Sequence, residues 1–392
     1  MKEIIINYSN QKKDILVVEN GKIVEQYKEY ENNRTLEGNV YIGKVLDVLD
    51  GMQAAFVDIG EERNAFLHIK DVLPKVSDVT GNKNEKMSDA DISKYIKVGS
   101  PVVVQVKKDR IDTKGARIST DINIGGKYVA LVPNSNFVTV SSKIEDVAEA
   151  ERLKKIIQEN LTASVGVIVR TAAVNKNENE IINDLNNLCS INEKIMSLYE
   201  KYSKSNEYPR KLYEAGGIVN KVLLGLVDSC DKIITNNEEI FNYVKEEYPE
   251  YNNDLVLKDD ENIIDSDFLN QLEKLENRKI WLNCGGFITI DKTEALTAID
   301  VNTGKYTGKN SLEKTIFKVN EEATIEIARQ IRARDIGGIV IIDFIDMEEE
   351  ENEKKIMALM EKELKKDRAK TQVVGFTPLH LLEMTRKHLC SN

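Results

Sequence analysis

Two stretches decide how this chain is read: Ala298-Ile299-Asp300-Val301-Asn302 and Ile341-Ile342-Asp343-Phe344-Ile345-Asp346. Each is an apolar strand interrupted by a carboxylate. Asp300 and Asn302 are two residues apart, so both side chains leave the same face of an extended strand. Between the two stretches, residues 311–334 have helical spacing and stop at Gly337-Gly338. Strand, helix and strand in succession predict neighbours in a mixed sheet. Residues 339–345 carry no polar side chain except Asp343, which predicts a strand buried on both faces. A carboxylate in such a run is costly unless it is paired or holds a metal. Two carboxylates converging with water and a substrate phosphate suit Mg²⁺, which prefers octahedral oxygen and keeps several waters. That chemistry serves phosphodiester cleavage. The pattern leaves a second reading open, in which each aspartate caps a turn or pairs with an arginine.

Outward from this core, residues 287–290 and 294–301 read as a hairpin, 348–366 as a helix with glutamates at its positive end, and 371–374 as a strand. Thr377-Pro378 predicts the cap of a last helix reaching about residue 389. Arg329, Arg332 and Arg334, and the basic run Thr385-Arg386-Lys387-His388, either complement helix ends or face a polyanion. Near the N-terminus, residues 3–28 read as three strands with a tight turn at Asn20-Gly21. Residues 37–120 hold five short strands around a polar insertion at 71–99, the pattern of a small barrel. Residues 121–211 are mixed. Ser142-x-x-Glu145 has capping-box spacing, a strand at 165–169 ends in Arg170-Thr171, and a helix covers 178–203 with Cys189 beside its apolar stripe. Residues 218–227, 232–235 and 238–247 read as helix, strand and helix, and 252–267 as a polar loop.

Composition narrows the function classes. A chain of 392 residues suggests about two to four compact units. No stretch approaches the ~18 apolar residues of a membrane span, and the N-terminus lacks a signal-peptide pattern, so a cytoplasmic location is expected. The four cysteines have no C-x-x-C spacing and the three histidines are scattered, so a metal site must rest on oxygen ligands. The formal charge of −11 disfavours nonspecific polyanion binding, yet residues 100–120 are locally basic. There Lys107, Lys108 and Lys114 could contact phosphate, and Phe56, Phe66 and His68 on the barrel could stack bases. The competing reading makes Phe56 and Phe66 barrel core.

At these residues the chain resembles the ribonuclease E/G family. The resemblance is carried by residues 293–304, by Glu326-Ile327-Ala328-Arg329-Gln330-Ile331-Arg332 through Gly337-Gly338 to Met347, and by Leu382-Glu383-Met384-Thr385-Arg386-Lys387, which is similar to the family's closing helix. Residues 39–69 resemble its S1-type OB barrel, and Val169-Arg170-Thr171-Ala172 its 5′-monophosphate sensor. The resemblance implies an α+β, multi-subdomain fold. An RNase H-like subdomain (1–36 and 212–279) would receive an S1-type RNA-binding barrel (37–120) and a 5′-sensor (121–211) as insertions. A DNase I-like α/β catalytic subdomain (280–392) would follow. Asp300 and Asp343 would hold Mg²⁺, or Mn²⁺ in its place, with Asn302 assisting. Phe56, Phe66 and Lys114 would guide single-stranded RNA, and Gly126, Arg170 and Thr171 would line the 5′-phosphate pocket. The implied activity is endoribonucleolytic cleavage to 3′-hydroxyl and 5′-phosphate ends, of the rRNA-processing or mRNA-decay class. A noncatalytic RNA-binding or ribosome-associated protein is the alternative. Two departures stand out. The C-P-x-C zinc-link is absent and Cys390 is not in its place, so neither zinc nor zinc-linked assembly is expected, and the oligomeric state is open. His380 stands where the family commonly has glycine.

Overall fold

The computed structural model describes residues 1–31, 34–72, 91–110, 114–226, 230–304 and 312–389. Most of the polar insertion at 71–99, and Cys390, lie outside them. The chain divides into two compact units, residues 1–33 with 229–391 and residues 34–228.

The first unit opens with β1 (Lys2–Ser9), β2 (Lys12–Glu19) and β3 (Lys22–Tyr30), an antiparallel meander. Asn20 and Gly21 both take positive φ at the second turn, the conformation that Asn-Gly tolerates.

The second unit begins with the barrel: β4 (Val40–Leu49), β5 (Ala54–Asp58), β6 (Ala65–His68), β7 (Pro101–Lys108) and β8 (Arg117–Ser119). The strands run in the order β4-β5-β6-β8-β7, and β7 pairs back onto β4, which closes the barrel. The closed five-stranded barrel is OB-like. Its interior holds Val45, Val57, Leu67, Val104, Val106 and Ile118. Gly115 is required here, because a Cβ would sit 1.9 Å from the carbonyl oxygen of Asn64. Beyond the barrel come β9 (Ile124–Gly125), β10 (Val129–Val132), β11 (Val138–Val140), α1 (Val147–Asn160), β12 (Gly166–Val169) and α2 (Glu178–Ser205). The expected Ser142 cap is corrected: Asp146 caps α1, accepting from the amides of Ala148 and Glu149 at 2.9 and 3.2 Å. Cys189 packs against the core that α1 and α2 share with this sheet. β13 (Arg210–Tyr213) pairs with β4, and α3 (Gly217–Leu226) ends the unit.

The chain then returns to the first unit. β14 (Lys232–Thr235), α4 (Glu238–Glu247) and β15 (Leu255–Leu257) complete the opening sheet in the order β15-β14-β1-β2-β3. β15 lies inside the stretch expected to be loop. After α5 (Ser266–Glu276) a six-stranded sheet forms from β16 (Lys279–Trp281), β17 (Phe287–Lys292), β18 (Leu296–Asn302), β19 (Gly338–Asp343), β20 (Thr371–Phe376) and β21 (Leu381–Arg386), in the order β16-β17-β18-β19-β21-β20. Only β18 and β19 pair in parallel in it, linked through α6 (Leu312–Ala333). α7 (Glu350–Leu364) joins α6 beneath the sheet, where both bury apolar side chains against Ile299, Val301, Val340 and Ile342.

Two expectations are corrected in this sheet. The first is the closing helix: residues 381–386 form β21. Leu382, Met384 and Arg386 alternate inward, which is strand periodicity. Thr377-Pro378 does mark a reversal, but of a hairpin: the Thr377 hydroxyl accepts from the amides of Leu379 and Leu381, both at 3.2 Å. His380 closes that turn with φ +61°, a left-handed conformation that glycine adopts without strain. The second is β19, which is not buried on both faces. Val340 and Ile342 point into the core, whereas Ile339 is 49% exposed and Asp343 is exposed. The helices therefore cover only one face of the sheet. Among the described residues no helix is long and apolar enough to cross a membrane.

Candidate active site

The uncovered face of the six-stranded sheet carries the candidate site. In β18, Thr297, Ile299 and Val301 point inward, so Ala298, Asp300 and Asn302 point outward. The parallel register sets Asp300 beside Asp343. The two aspartates read from sequence are thus neighbours across one strand pair. Asn302 donates its side-chain amide to Asp300 at 2.5 Å, fixing that carboxylate's orientation. Partial burial, and then the charges of Asp300 and Asp346, push the Asp343 carboxyl above its ordinary value. Asp346 is therefore a third member of the acidic surface that sequence reasoning did not single out; its signal was its place three residues after Asp343. Arg278, whose guanidinium feels the charge of Asp300, is committed to a fork on Asp291 at 2.5 and 2.6 Å. Among the described residues neither Asp300 nor Asp343 forms a salt bridge. That leaves the turn-cap and arginine-pair readings without support.

These residues fit a hard divalent cation. Two adjacent carboxylates repel each other, and a cation between them relieves that repulsion. Among the described residues no group of three or more His, Cys, Asp or Glu side chains has metal-site geometry, so a cation here would take its remaining ligands from amide oxygen, water or phosphate.

The arginines of α6, of the turn that follows it and of β21 serve the scaffold. Arg332 is buried against Glu19 and Glu25 at 3.2 and 3.4 Å. Arg329 holds Glu326 and the carbonyl of Ile23, and Arg334 holds Gln330 and the carbonyl of Asn277. Arg386 is fully buried, at 2.7 Å from Asp367 and 2.6 Å from Asp335. The helix-end and polyanion readings are both replaced for Arg386, because β21 turns it inward.

On the barrel, Phe56 and Phe66 are half-exposed and pack edge to face, with ring centres 6.0 Å apart. The core reading is corrected: Ala55, Val57, Ala65 and Leu67 fill the interior, so the intervening phenylalanines face outward. His68 lies 6.4 Å from Phe66 and extends the aromatic strip. Arg117, in direct register with Phe66, supplies a cation that the sequence reading left in a general basic cluster; it pairs with Asp71 at 2.8 Å. Lys114 is exposed, two residues before Ala116, whose carbonyl accepts from the Phe66 amide. Lys107 bonds to Gln105 at 2.8 Å, and Lys108 is exposed at the end of β7.

In the candidate sensor, the Arg170 guanidinium donates to the carbonyls of Gly126 and Leu224. Thr171 follows at the surface. The Asp184 carboxylate accepts from the amides of Lys127, Tyr128 and Val129. A Cβ on Gly126 would sit 2.6 Å from both Asp184 carboxylate oxygens, so glycine lets that carboxylate approach. Gly126 and Arg170 are thus in contact, with Thr171 the next residue along the chain.

Comparison with known proteins identifies the family. Residues 123–389 match the model of the ribonuclease E/G family. The chain is 38% identical to ribonuclease G of Salmonella typhimurium (strain SL1344), over 98% of this chain and 79% of that protein. It is 36% identical to ribonuclease G of Haemophilus influenzae over the same shares. It is 33% identical to a putative ribonuclease E of Buchnera aphidicola, over 100% of this chain and 96% of that protein. With the family model spanning most of the chain and identity sustained along nearly all of it, the chain belongs to the ribonuclease E/G family.

Proposed function

We propose that the protein is a Mg²⁺-dependent endoribonuclease of the cytoplasm that cleaves single-stranded RNA to 3′-hydroxyl and 5′-phosphate ends, in rRNA processing or mRNA decay. The observation that carries the reading is the register pairing of Asp300 with Asp343 on an open sheet face. Asp300 and Asp343 would hold the cation, with Asn302 orienting Asp300. Bound there, the cation neutralises phosphate charge and lowers the pKa of water. The two carboxylates set where the scissile phosphate lies, and the open face admits a single strand. Phe56, Phe66 and Lys114 on the barrel would hold RNA by stacking and charge, with Lys107 and Lys108 as outlying phosphate contacts. Gly126, Arg170 and Thr171 would form the sensor of a 5′-monophosphate. The sheet shared by residues 2–30 and 232–257 supports an RNase H-like subdomain built from two segments, and residues 280–389 a DNase I-like one.

The test is cleavage of a 5′-monophosphorylated single-stranded oligonucleotide with Mg²⁺, with Mn²⁺ and with EDTA. Cleavage with either metal and none with EDTA is the expected result. Tight RNA binding without cleavage under any condition would overturn the reading in favour of a noncatalytic RNA-binding protein, a role the barrel strip alone could serve.

A further inference from the structure

The acidic site has an aromatic neighbour. Across the open sheet face, Trp281 pairs with Phe287, and Phe287 pairs with Asn302. Asn302 in turn donates to Asp300. One row of register partners therefore runs from Trp281 to the carboxylate pair. Trp281 is 58% exposed, and its ring meets Phe287 edge to face at 5.3 Å. Lys279 places its ammonium 3.5 Å from the Phe287 ring centre and 4.3 Å from that of Trp281. Ile280, between them, turns inward to the core, so Lys279 and Trp281 share the outer face. The turn joining β16 to β17 is fixed from below: Glu322 accepts from the amides of Asn283 and Cys284. The same turn abuts the end of β18, where a Cβ on Gly286 would sit 2.9 Å from the Asn302 carbonyl oxygen. Trp281, Lys279, Lys22, Lys274 and Arg329 also line a cleft of about 590 Å³ at the sheet edge, with Glu322 and Glu326 on its wall. Glu326 is paired with Arg329, while Glu322 keeps its charge under the turn amides, so Lys22, Lys274 and Lys279 outweigh one carboxylate in a cleft walled by α6 rather than by the carboxylate face.

Resting on the nuclease reading above, we infer that Trp281, backed by Phe287, is a base-stacking subsite for the substrate strand beside the scissile phosphate, and that Lys279 receives the backbone on the same side. A large exposed indole on the same face as catalytic carboxylates offers what single-stranded nucleic acid needs, a sequence-tolerant stacking surface beside cations. Two strand spacings separate Trp281 from Asn302, about 10 Å, so the stacked base lies within about two nucleotides of the cleaved bond. Such a subsite holds the strand in register with the metal ligands, which makes Trp281 a positioning residue for the reaction.

The chain has one tryptophan, so its emission reports on this subsite alone. A dye-labelled single-stranded RNA is titrated into the full chain in EDTA, following anisotropy for binding and tryptophan emission for stacking. Emission should be quenched in step with anisotropy. Separately, Trp281→Ala should lower kcat/KM roughly 5- to 150-fold, whereas Trp281→Phe retains most of it. An abasic nucleotide placed near the cleaved bond should bring the wild type down to the Trp281→Ala rate and slow that variant no further. RNA bound and cleaved with unchanged tryptophan emission, or with unaltered kcat/KM in Trp281→Ala, overturns the subsite and leaves the nuclease reading intact. Neither binding nor cleavage by the wild type overturns both.

Discussion

The outer wall of the barrel and the open face of the six-stranded sheet are built by the same rule and end up chemically opposite. In both, alternate residues of each strand fill a core and the rest face outward. On the barrel the outward set includes Phe56, Phe66, His68 and Arg117. On the sheet it includes Asp291, Asp300, Asp343 and Glu383. In the proposed reading the first surface holds RNA by stacking without metal, whereas the carboxylates at the centre of the second oppose phosphate until a cation sits between them, and only Trp281 and Lys279 at its edge engage the strand without one. A net charge of −11 describes neither surface.

The largest effect expected from this contrast is on the acidic side. Asp300→Asn or Asp343→Asn should lower turnover roughly 10³-fold or more, because each removes half of the charge available to a cation. RNA binding in EDTA should stay within a few-fold of wild type, since the barrel strip is untouched. A variant that cleaves at the parental rate would remove the site assignment. A variant that loses binding in EDTA would instead remove the division of labour between the two surfaces.

The barrel side should give a smaller effect of another kind. Phe56→Ala or Phe66→Ala should each weaken RNA binding by about 1–3 kcal/mol and act mainly on KM. Because the two rings touch, the double variant should cost less than the sum of the single ones. The loss should be the same with Mg²⁺ and with EDTA. A loss seen only with metal would show that the strip acts through the acidic face.

The scaffold under the acidic face gives a third test, on stability. Arg386→Ala strands Asp367 and Asp335 without their buried guanidinium, and should destabilise the first unit by roughly 3–5 kcal/mol in urea denaturation. This is also where the sequence was hardest to read. Arg386 looked like part of a basic helix end because Thr377-Pro378 resembles a helix cap. The same hydroxyl chemistry closes a hairpin, and nothing local separates the two uses. β19 was misread for a related reason: an unbroken apolar run has no periodicity to show which face is covered, and the open face keeps Ile339 and Ile341. By contrast, β18 alternates and ends in Asp300-Val301-Asn302, so its outward face was legible. The strand-helix-strand order makes Asp300 and Asp343 candidates to converge across neighbouring strands but leaves the turn-cap and arginine-pair readings equally open; the register sets them side by side. Trp281 escaped notice because an edge strand of three residues carries too short a pattern.

The smallest effect separates geometry from charge at the rim of the acidic face. His380 sits in the turn before β21, one residue from Leu381, the register partner of Asp343. It holds φ +61° and lies 2.7 Å from Glu353. The Glu353 hydrogen bond and charge, with Asp346 adding to them, raise its pKa. A raised imidazole stabilises the fold in full below its unfolded value of about 6.5, and the benefit fades as pH rises through the folded value. His380→Gly sheds the left-handed strain at every pH but forfeits the ion pair only where histidine is charged. The difference in melting temperature, variant minus wild type, should therefore become more positive between about pH 5.5 and 8.5, by about a degree or two. A difference that does not change with pH would assign this turn to backbone geometry alone and remove Glu353 and His380 from the electrostatics of the site.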